Sequence, residues 1–232
     1  MWSDIIQYDK ELLLWFNGSD SLFFDGFVKT LTTATTWIPL YLALFYMVLK
    51  NNDTLQKILI IVACAGLCIF LAGSLNDMFV KPNVARWRPT HDGEIAMLVD
   101  VVNGYRGGRF GFFSSHAANT ISIAVFFALL VRSRVLTVAL VSWSLINCWT
   151  RMYLGVHFPI DICCGLLWGT TVGVFVWFLY QRLCKRLYTR NNFISSHYTS
   201  TGYACADIDI VVSILLLTIF YAILRACLML YM

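Results

Sequence analysis

"WTRMYLGVHFPID", residues 149–161, lies between two long apolar runs and brings Arg151, His157 and Asp161 close together along the chain. Ionisable side chains are costly at or inside a lipid bilayer, and they are kept there mainly for function. We therefore interpret this stretch as the turn between two membrane-spanning helices. We expect its charged residues to form part of a functional site.

The composition indicates a membrane protein. Of 232 residues, 59% are hydrophobic and 13% are charged, with a mean hydropathy of +0.71, whereas a soluble domain has about 25% charged residues. A helix needs roughly 20 apolar residues to cross a bilayer. We predict an all-α integral membrane protein of one domain, 1–232, with about six transmembrane helices. They are expected at 30–49, 56–80, 115–132, 135–154, 159–181 and 209–231.

The first 20 residues have a different pattern. Apolar and charged residues occupy different faces of a helix there: Trp2, Ile5, Ile6, Leu13 and Phe16 against Asp4, Asp9, Lys10 and Glu11. This pattern predicts an amphipathic helix that lies in the membrane interface. No basic segment precedes an apolar run and no small-residue cleavage site follows, so we do not expect a signal peptide.

Basic residues predict the orientation, because Lys and Arg concentrate in short cytoplasmic loops. One side of the predicted topology carries Lys50, Lys57, Arg132, Arg134, Arg182, Lys185, Arg186 and Arg190. That side is expected to be cytoplasmic, together with the polar segment 183–208. Loop 81–114 and the turn near residue 155 are then expected on the opposite side.

A metal site is not expected. The eight cysteines form neither a CxxC motif nor a mixed Cys/His spacing, so we interpret them as small buried hydrophobic residues. Of the two glutamates, only Glu94 lies in loop 81–114, and magnesium sites are normally built from several oxygen ligands. We therefore predict no metal and no cofactor.

"KPNVARWRPTHDGEIAMLVDVVNGYRGGRFGFFSSHAANT", residues 81–120, is the most polar segment beside an apolar run. It contains several basic residues, a group of glycines, and Ser114, Ser115 and His116 where the third predicted span begins. Helix N-termini present free N–H groups and a positive dipole end, which suit an anion, above all a phosphate. The alternative is that Ser114 or Ser115 only caps the helix.

His157 and Asp161 have the spacing of neighbours on one helix face. If a helix begins near His157, Asp161 at i+4 lies one turn further along the same face. Its carboxylate would then bond one imidazole nitrogen and leave the other a better nucleophile or base.

Three motifs together resemble the signatures of the type 2 phosphatidic acid phosphatase (PAP2) superfamily. They are Lys81-x6-Arg88-Pro89, Phe113-Ser114-Ser115-His116 and Thr150-Arg151-x5-His157-x3-Asp161. The second family motif is usually Pro-Ser-Gly-His and the third usually begins Ser-Arg. Phe113, Ser115 and Thr150 therefore depart from the pattern, and Ser115 matters if its side chain crowds the phosphate. The match is detailed over 80–161.

The resemblance implies a metal-independent hydrolysis of a lipid phosphate. His157 would attack phosphorus to form a phosphohistidine, Asp161 would orient it, and His116 would protonate the leaving oxygen and then activate water. The phosphoryl oxygens would be held by Lys81, Arg88, Ser114, Ser115 and Arg151. Local sequence similarity to short bacterial members implies a multi-pass protein of the bacterial inner membrane. With the orientation predicted from the basic residues, its site would face the periplasm.

The expected partners are the bilayer and a membrane lipid phosphate, with no nucleic acid and no predicted oligomeric state. Lipid A is the first expected substrate, undecaprenyl pyrophosphate the second, and phosphatidylglycerophosphate or phosphatidic acid follow. Residues 103–111, "NGYRGGRFG", would cover the entrance, with Arg106 and Arg109 as head-group contacts. The alternative is that these two arginines only touch anionic lipids.

Other interpretations remain at this stage. Single arginines at span ends, such as Arg86, often only form interfacial ion pairs; His91, Asp92 and His197 are expected to be ordinary loop residues. A proton-coupled transporter would place ionisable residues nearer span midpoints. A haloperoxidase shares the anion-binding pattern but is soluble. A lipid phosphotransferase would use the same phosphohistidine with a lipid acceptor.

Overall fold

The computed structural model describes residues 2–187 and 196–230, and within these ranges the regular structure is helical, without a strand longer than an isolated bridge. The α-helices are α1 (Trp2–Phe16), α2 (Leu22–Thr32), α3 (Ile38–Lys50), α4 (Leu55–Ile69), α5 (Lys81–Val84), α6 (Ser115–Val131), α7 (Arg134–Tyr153), α8 (Pro159–Leu187) and α9 (Cys205–Met229). Short 3₁₀ turns occur at Ala34–Trp37, Pro89–His91 and Val102–Gly104.

Four helical segments are long and apolar enough to cross a membrane: Leu55–Val84, Arg134–Tyr153, Pro159–Cys184 and Cys205–Met229. A fifth span results if α2 and the segment Ala34–Lys50, which are bent by 67°, are counted together. The remaining predicted span, 115–132, corresponds to α6, a shorter apolar helix. The all-α, multi-pass fold class is therefore confirmed, while the number six stays a prediction.

Helix α6 lies at the centre of the bundle, packed between α7, α8 and α4. Its contact with α8 is close because Gly165 and Gly173 face it. A Cβ added at either glycine would lie 2.7 Å from a carbonyl oxygen of the α6 segment, that of Ser114 or Ser122. Small residues at such spacing let two helix backbones approach closely in a membrane, and this contact brings the starts of α6 and α8 together.

The helix that begins as α4 widens before it reaches the polar end of the bundle. Two π-helical turns, Phe70–Ser74 and Asn76–Val80, join α4 to α5, and Ala85 then leaves the helix with φ of +50°. Such turns are frequent at functional sites, because they change which side chains face the neighbouring helices. Here they place Asn76, Asp77 and Lys81 toward the start of α6.

Two boundaries differ from the sequence prediction. The predicted loop 183–208 begins later, since α8 continues to Leu187, and α9 already starts at Cys205; residues 188–195 lie outside the described ranges. Lys and Arg have high helix propensity, which favours continuation of the helix. The first predicted span, 30–49, crosses the bend near Thr33, where the 3₁₀ turn separates α2 from α3.

The N-terminal helix α1 packs over the polar end of the bundle. Leu13 is fully buried in a cluster with Ile95, Val99 and Phe158. The sequence pattern put Asp9 and Lys10 away from the apolar face, yet both are buried, 3% and 8% exposed. They are tolerated there because carboxylate and cationic partners come from distant segments. The position of α1 in a membrane interface stays a prediction.

Candidate active site

Three basic side chains from the predicted motifs lie at one end of the bundle. Lys81 is on α5, Arg88 lies in the loop that follows, and Arg151 is in the last turn of α7. Arg88 and Arg151 are only 8% and 2% exposed. Buried charges are costly unless they are paired, so the partners of each cation decide what this cluster can bind.

Arg88 has no carboxylate partner in the described part of the chain. Its Nε donates to the carbonyl of Phe110 at 3.1 Å, and its Nη1 lies 3.3 Å from the carbonyl oxygen of Val156 and 3.4 Å from Nε2 of His157. Burial and the nearby Arg151 charge lower the pKa of Arg88 from its usual value. The guanidinium is therefore a buried cation without a carboxylate in direct contact among the described residues.

The glycines of 103–111 let the loop backbone pass over Arg88. Gly107 has φ of +68°, and a Cβ there would lie 2.9 Å from Nη1 of Arg88; a Cβ at Gly111 would lie 3.2 Å from both Arg88 and Asp161. A positive φ and a close approach both favour glycine. The sequence predicted that this segment covers the entrance to the site, and in the structure its glycines bring the backbone close to Arg88.

Arg151 is held by two hydroxyl groups. Its Nη1 donates to Oγ1 of Thr32 on α2, and its Nη2 donates to the Tyr105 hydroxyl at 3.3 Å. Burial tends to raise the pKa of Tyr105, but the Arg151 charge and hydrogen bond outweigh this effect and lower it. Nε of Arg151 is buried, and no hydrogen-bond partner for it is found among the described residues. That donor is suited to an anionic oxygen.

His157 lies in the turn before α8 and is 1% exposed. Burial and the charges of Arg88, Arg151 and Lys81 hold its pKa well below the usual 6.5. The imidazole is therefore neutral near pH 7. Its Nε2 faces Arg88, while its Nδ1 faces Asp161.

The expected hydrogen bond between His157 and Asp161 is not formed. Nδ1 of His157 is 3.8 Å from Oδ2 of Asp161, which is beyond hydrogen-bond distance. Helix α8 begins at Pro159 rather than near His157, so the two residues do not share a helix face. The Asp161 carboxylate instead accepts from the backbone N–H of Phe158 at 3.0 Å and from Nη1 of Arg86 at 2.7 Å.

Arg86 is a site residue whose role the sequence motifs left undecided. It bridges two buried carboxylates, with Nη1 on Asp161 at 2.7 Å and Nη2 on Asp9 of α1 at 2.6 Å. Its guanidinium also lies 4.3 Å from the ring centroid of Phe158. Burial tends to lower the pKa of Arg86, but Asp161 and Asp9 outweigh it and raise the pKa. No sequence motif points to Asp9, which lies far from Arg86 along the chain.

Ser114 is the N-cap of α6, as the simpler sequence interpretation proposed. Its hydroxyl accepts from the N–H of Ala117 at 3.4 Å, and its own N–H donates to the carbonyl of Asp161 at 3.0 Å. The first N–H groups of a helix have no partner within it. His116, in this first turn, lies within electrostatic reach of Lys81, Arg88 and Arg151.

The Ser115 side chain points into a polar network rather than into open space. Its hydroxyl donates to Asp77 at 2.7 Å and accepts from the side-chain amide of Asn76 at 2.9 Å. Asp77 in turn forms an ion pair with Lys81 at 2.6 Å. The hydroxyl of the serine that replaces the usual family glycine thus has hydrogen-bond partners in Asn76 and Asp77. These two residues are not part of the sequence motifs.

Arg106 and Arg109 lie apart from this cluster, exposed on the surface of the loop. The Arg109 guanidinium lies 5.4 Å from the ring centroid of Trp87, and Nη1 of Arg106 is 3.5 Å from the Thr90 carbonyl oxygen. Within residues 2–187 and 196–230, no group of three or more His, Cys, Asp or Glu side chains is arranged to hold a metal ion.

Comparisons with known proteins show the family of this chain. The model of the PAP2 superfamily matches residues 59–185. A lipid A 4'-phosphatase of Bacteroides thetaiotaomicron is 41% identical over 180 residues, which cover 77% of this chain and 80% of the relative. A lipid A 4'-phosphatase of Porphyromonas gingivalis is 32% identical over 192 residues, 83% of this chain and 78% of the relative. No solved structure matches the chain. The family expected from the motifs is confirmed: this chain belongs to the PAP2 superfamily.

Proposed function

We propose that this protein is a metal-independent phosphatase that removes a phosphate group from lipid A through a phosphohistidine intermediate. The substrate is inferred from the two lipid A 4'-phosphatases to which most of the chain is similar. The observation that carries the chemistry is a buried His157 whose Nε2 lies beside the unpaired Arg88, next to an Arg151 donor without a partner in the described structure.

The proposed first step uses His157 as the nucleophile. Its Nε2 forms a bond to phosphorus while the bond from phosphorus to the lipid oxygen breaks, and His116, in its protonated form, gives a proton to that oxygen and becomes neutral. Neutral His157 is the reactive form, and the low pKa of this side chain supplies it. In the second step His116 takes a proton from water, the hydroxide attacks phosphorus, and the N–P bond breaks to release phosphate.

The proposed phosphate-binding groups are Lys81, Arg88, Arg151 and the N–H groups of Ser115 and His116 at the start of α6. Positive groups that are already in place stabilise charge as it shifts to the phosphoryl oxygens. Lys81 already forms an ion pair with Asp77, so a bound phosphate would share the Lys81 ammonium group with Asp77. The Ser114 hydroxyl caps α6 and the Ser115 hydroxyl is bound by Asp77, so we assign them mainly to holding the helix start.

Arg86 and Asp9 are proposed as positioning residues. They hold the Asp161 carboxylate beside Nδ1 of His157, at 3.8 Å, without contacting the proposed phosphate position. Because Asp9 belongs to α1, the N-terminal helix would help to keep the nucleophile in place. A carboxylate held by a cation and a backbone N–H is less free to rotate.

The proposed setting is the bacterial inner membrane, with six spans, α1 in the interface and the site facing the periplasm. It is supported by Lys50, Lys57, Arg132, Arg134 and Arg182, which end or begin helices at the opposite end from the site and would face the cytoplasm. A phosphate of a lipid anchored in the outer leaflet would then reach the cationic cluster without its tails leaving the bilayer.

The test is phosphate release by the purified full-length protein from lipid A, undecaprenyl pyrophosphate, phosphatidylglycerophosphate and phosphatidic acid in mixed micelles. We expect the highest kcat/KM for lipid A, with activity retained in EDTA and inhibited by vanadate. Lipid substrate consumed without free phosphate would identify a phosphotransferase. A higher kcat/KM for phosphatidic acid would contradict the proposed substrate, and activity restored only by magnesium or zinc would contradict the chemistry.

A further inference from the structure

A cleft of about 520 Å³ lies outside the active site, between α9 and the bend that separates α2 from α3. One wall is formed by Thr35 and Thr36 of the bend and by Pro39 in the first turn of α3. The other wall is one face of α9, formed by Ile214, Leu217, Thr218, Tyr221 and Arg225. This volume is in the range of small-molecule binding sites, which are roughly 300–1,000 Å³.

The polarity of the α9 wall changes in a regular order along the helix. Ile214 and Leu217 are apolar, Thr218 and Tyr221 carry hydroxyl groups, and Arg225 carries a positive charge. Residues three and four apart share a helix face, so this order is also the order along the cleft. A lipid has the same sequence of parts: a hydrocarbon chain, then ester or hydroxyl groups, then an anionic head group.

Arg225 lies at the same end of the bundle as the active site. The start of α9 is fixed at the far end, where Asp207 accepts from Asn51 at 2.9 Å and the Thr201 hydroxyl donates to the Val131 carbonyl at 2.7 Å. At 1.5 Å per residue, Arg225 is roughly 27 Å from Asp207 along α9. Arg151 is roughly 26 Å from the far end of α7 by the same rule, so the two arginines lie at similar depths.

The bend connects the cleft to the phosphate-binding cluster. Thr32 at the end of α2 accepts a hydrogen bond from Arg151, and Thr35, three residues later, lines the cleft. Three consecutive Cα–Cα steps span at most roughly 11 Å. A lipid bound in the cleft would therefore lie beside the same chain segment that holds Arg151.

Arg225 is a cation without an acidic partner among residues 2–187 and 196–230. Its side chain is exposed, and no ion pair or hydrogen bond to it is found in the described segments of the chain. Arg86, by contrast, has two carboxylate partners. An unpaired cation in a membrane-spanning helix favours an anionic ligand.

We infer that this cleft binds the lipid substrate itself, with a hydrocarbon chain along Ile214 and Leu217 and a second anionic group of the lipid on Arg225. The inference rests on the proposed lipid phosphatase function and adds a specificity site to it. A substrate with a negative group beyond the phosphate being removed would gain a charge-assisted hydrogen bond that a singly charged substrate does not make.

The kinetic test compares Arg225→Gln with Arg134→Gln, a matched change of an exposed arginine at the opposite end of the bundle. For lipid A with two phosphates, we expect Arg225→Gln to raise KM about five- to tenfold with unchanged kcat, the size expected for one exposed charged hydrogen bond. Hydrolysis of a water-soluble phosphate monoester without a tail should not change in either variant. An unchanged KM for lipid A, or an equal loss on both substrates, would overturn the inference.

A binding test separates the cleft from the catalytic assignment. A photoreactive benzophenone amino acid replaces Leu217, an exposed residue of the cleft wall, in the full-length His157→Ala protein, and labelled lipid A or phosphatidylcholine is added in micelles. We expect crosslinks to lipid A that are reduced several-fold by Arg225→Gln, at lipid concentrations below KM, and kept with Arg134→Gln. Equal crosslinking of both lipids would reject the cleft as an anionic-lipid site, even if phosphate release from lipid A is normal. Crosslinks without any phosphatase activity in the wild type would reject the proposed function instead.

Discussion

Arg86 and Arg88 are two positions apart in the sequence, but they belong to two regions with opposite electrostatics. Arg86 lies in a paired region, where Asp9 and Asp161 accept from its guanidinium at 2.6 and 2.7 Å. Arg88 lies in a cationic region, where carbonyl oxygens, a histidine nitrogen and Arg151 surround it. The pKa of Arg86 is raised and that of Arg88 is lowered, because only the first has carboxylate partners that outweigh its burial.

The difference teaches how one short segment serves two purposes. A buried cation between two carboxylates mainly fixes geometry, and removing it leaves charges unpaired. A buried cation without a carboxylate partner can interact with an anionic ligand, and such cations are typical of functional sites. His157 lies between the two regions, with Nε2 toward Arg88 and Nδ1 toward Asp161. The following predictions test this division.

The largest effect is expected from His157, where the regions meet. His157→Ala should lower turnover at least about 10⁴-fold, as loss of a nucleophile does in other hydrolases, and no acid-labile phosphate should be trapped on the protein. The matched control is His91→Ala, an exposed histidine of the same polar end. Phosphate release and acid-quench trapping measure both variants. Trapped phosphohistidine in His157→Ala would refute the assigned nucleophile.

The two arginines should fail in different ways. Arg88→Ala should lower kcat about 10²- to 10³-fold, the range for loss of a group that stabilises transition-state charge, with little change in Tm. Arg86→Ala leaves Asp9 and Asp161 without their common partner and should destabilise the fold by about 3–5 kcal/mol.

Thermal unfolding in detergent and kcat at a temperature where both variants are folded separate these outcomes. Asp9→Asn supplies a second measurement, because it perturbs the paired region while Arg86 stays bound to Asp161. We expect it to lower Tm less than Arg86→Ala and to leave vanadate inhibition intact. If Arg88→Ala lost more stability than Arg86→Ala, the division into two regions would be wrong.

The pH dependence of kcat/KM should report the cationic region. His157 attacks in its neutral form, and burial with Arg88, Arg151 and Lys81 keeps its pKa well below 6.5, so activity should persist below that pH. Arg88→Gln removes one cation and should raise the pKa of His157. The decrease of kcat/KM at acid pH, the acid limb of the profile, should then begin at a higher pH. The contribution of His157 to folding stability depends on pH in the same direction as the activity. It is present above the unfolded pKa of about 6.5 and is lost as pH falls toward the lower pKa of the folded state. Arg109→Gln, on the exposed loop, should leave the acid limb unchanged.

The smallest effect is expected from the loop surface. Arg106→Ala combined with Arg109→Ala should raise KM for lipid A about two- to fivefold with little change in kcat, since exposed charge contacts contribute roughly 0.2–1 kcal/mol each. Trp87 and the Thr90 carbonyl already contact these side chains. A loss of kcat equal to that of Arg88→Ala would show that the loop surface belongs to the cationic region.

The sequence predicted which residues would lie close together, because each apolar run that spans the membrane places its two ends on opposite sides. Lys81, Arg88, His116, Arg151 and His157 all lie where an apolar run begins or ends on one predicted side, and the structure brings them to one end of the bundle. The His157–Asp161 hydrogen bond was wrong in detail, because α8 starts two residues after His157. Helix starts depend on local turns that apolar periodicity does not specify.

By itself, the sequence determined the fold class, the family and the set of charged motif residues, since these follow from the length of apolar runs and from residues close together along the chain. Only the tertiary structure decided which partner each distant cation has. Asp9 reaches Arg86 from α1, and Thr32 reaches Arg151 from α2. The physical reason is that electrostatic energy depends on distances in space, and helix packing sets those distances between segments that the sequence leaves far apart.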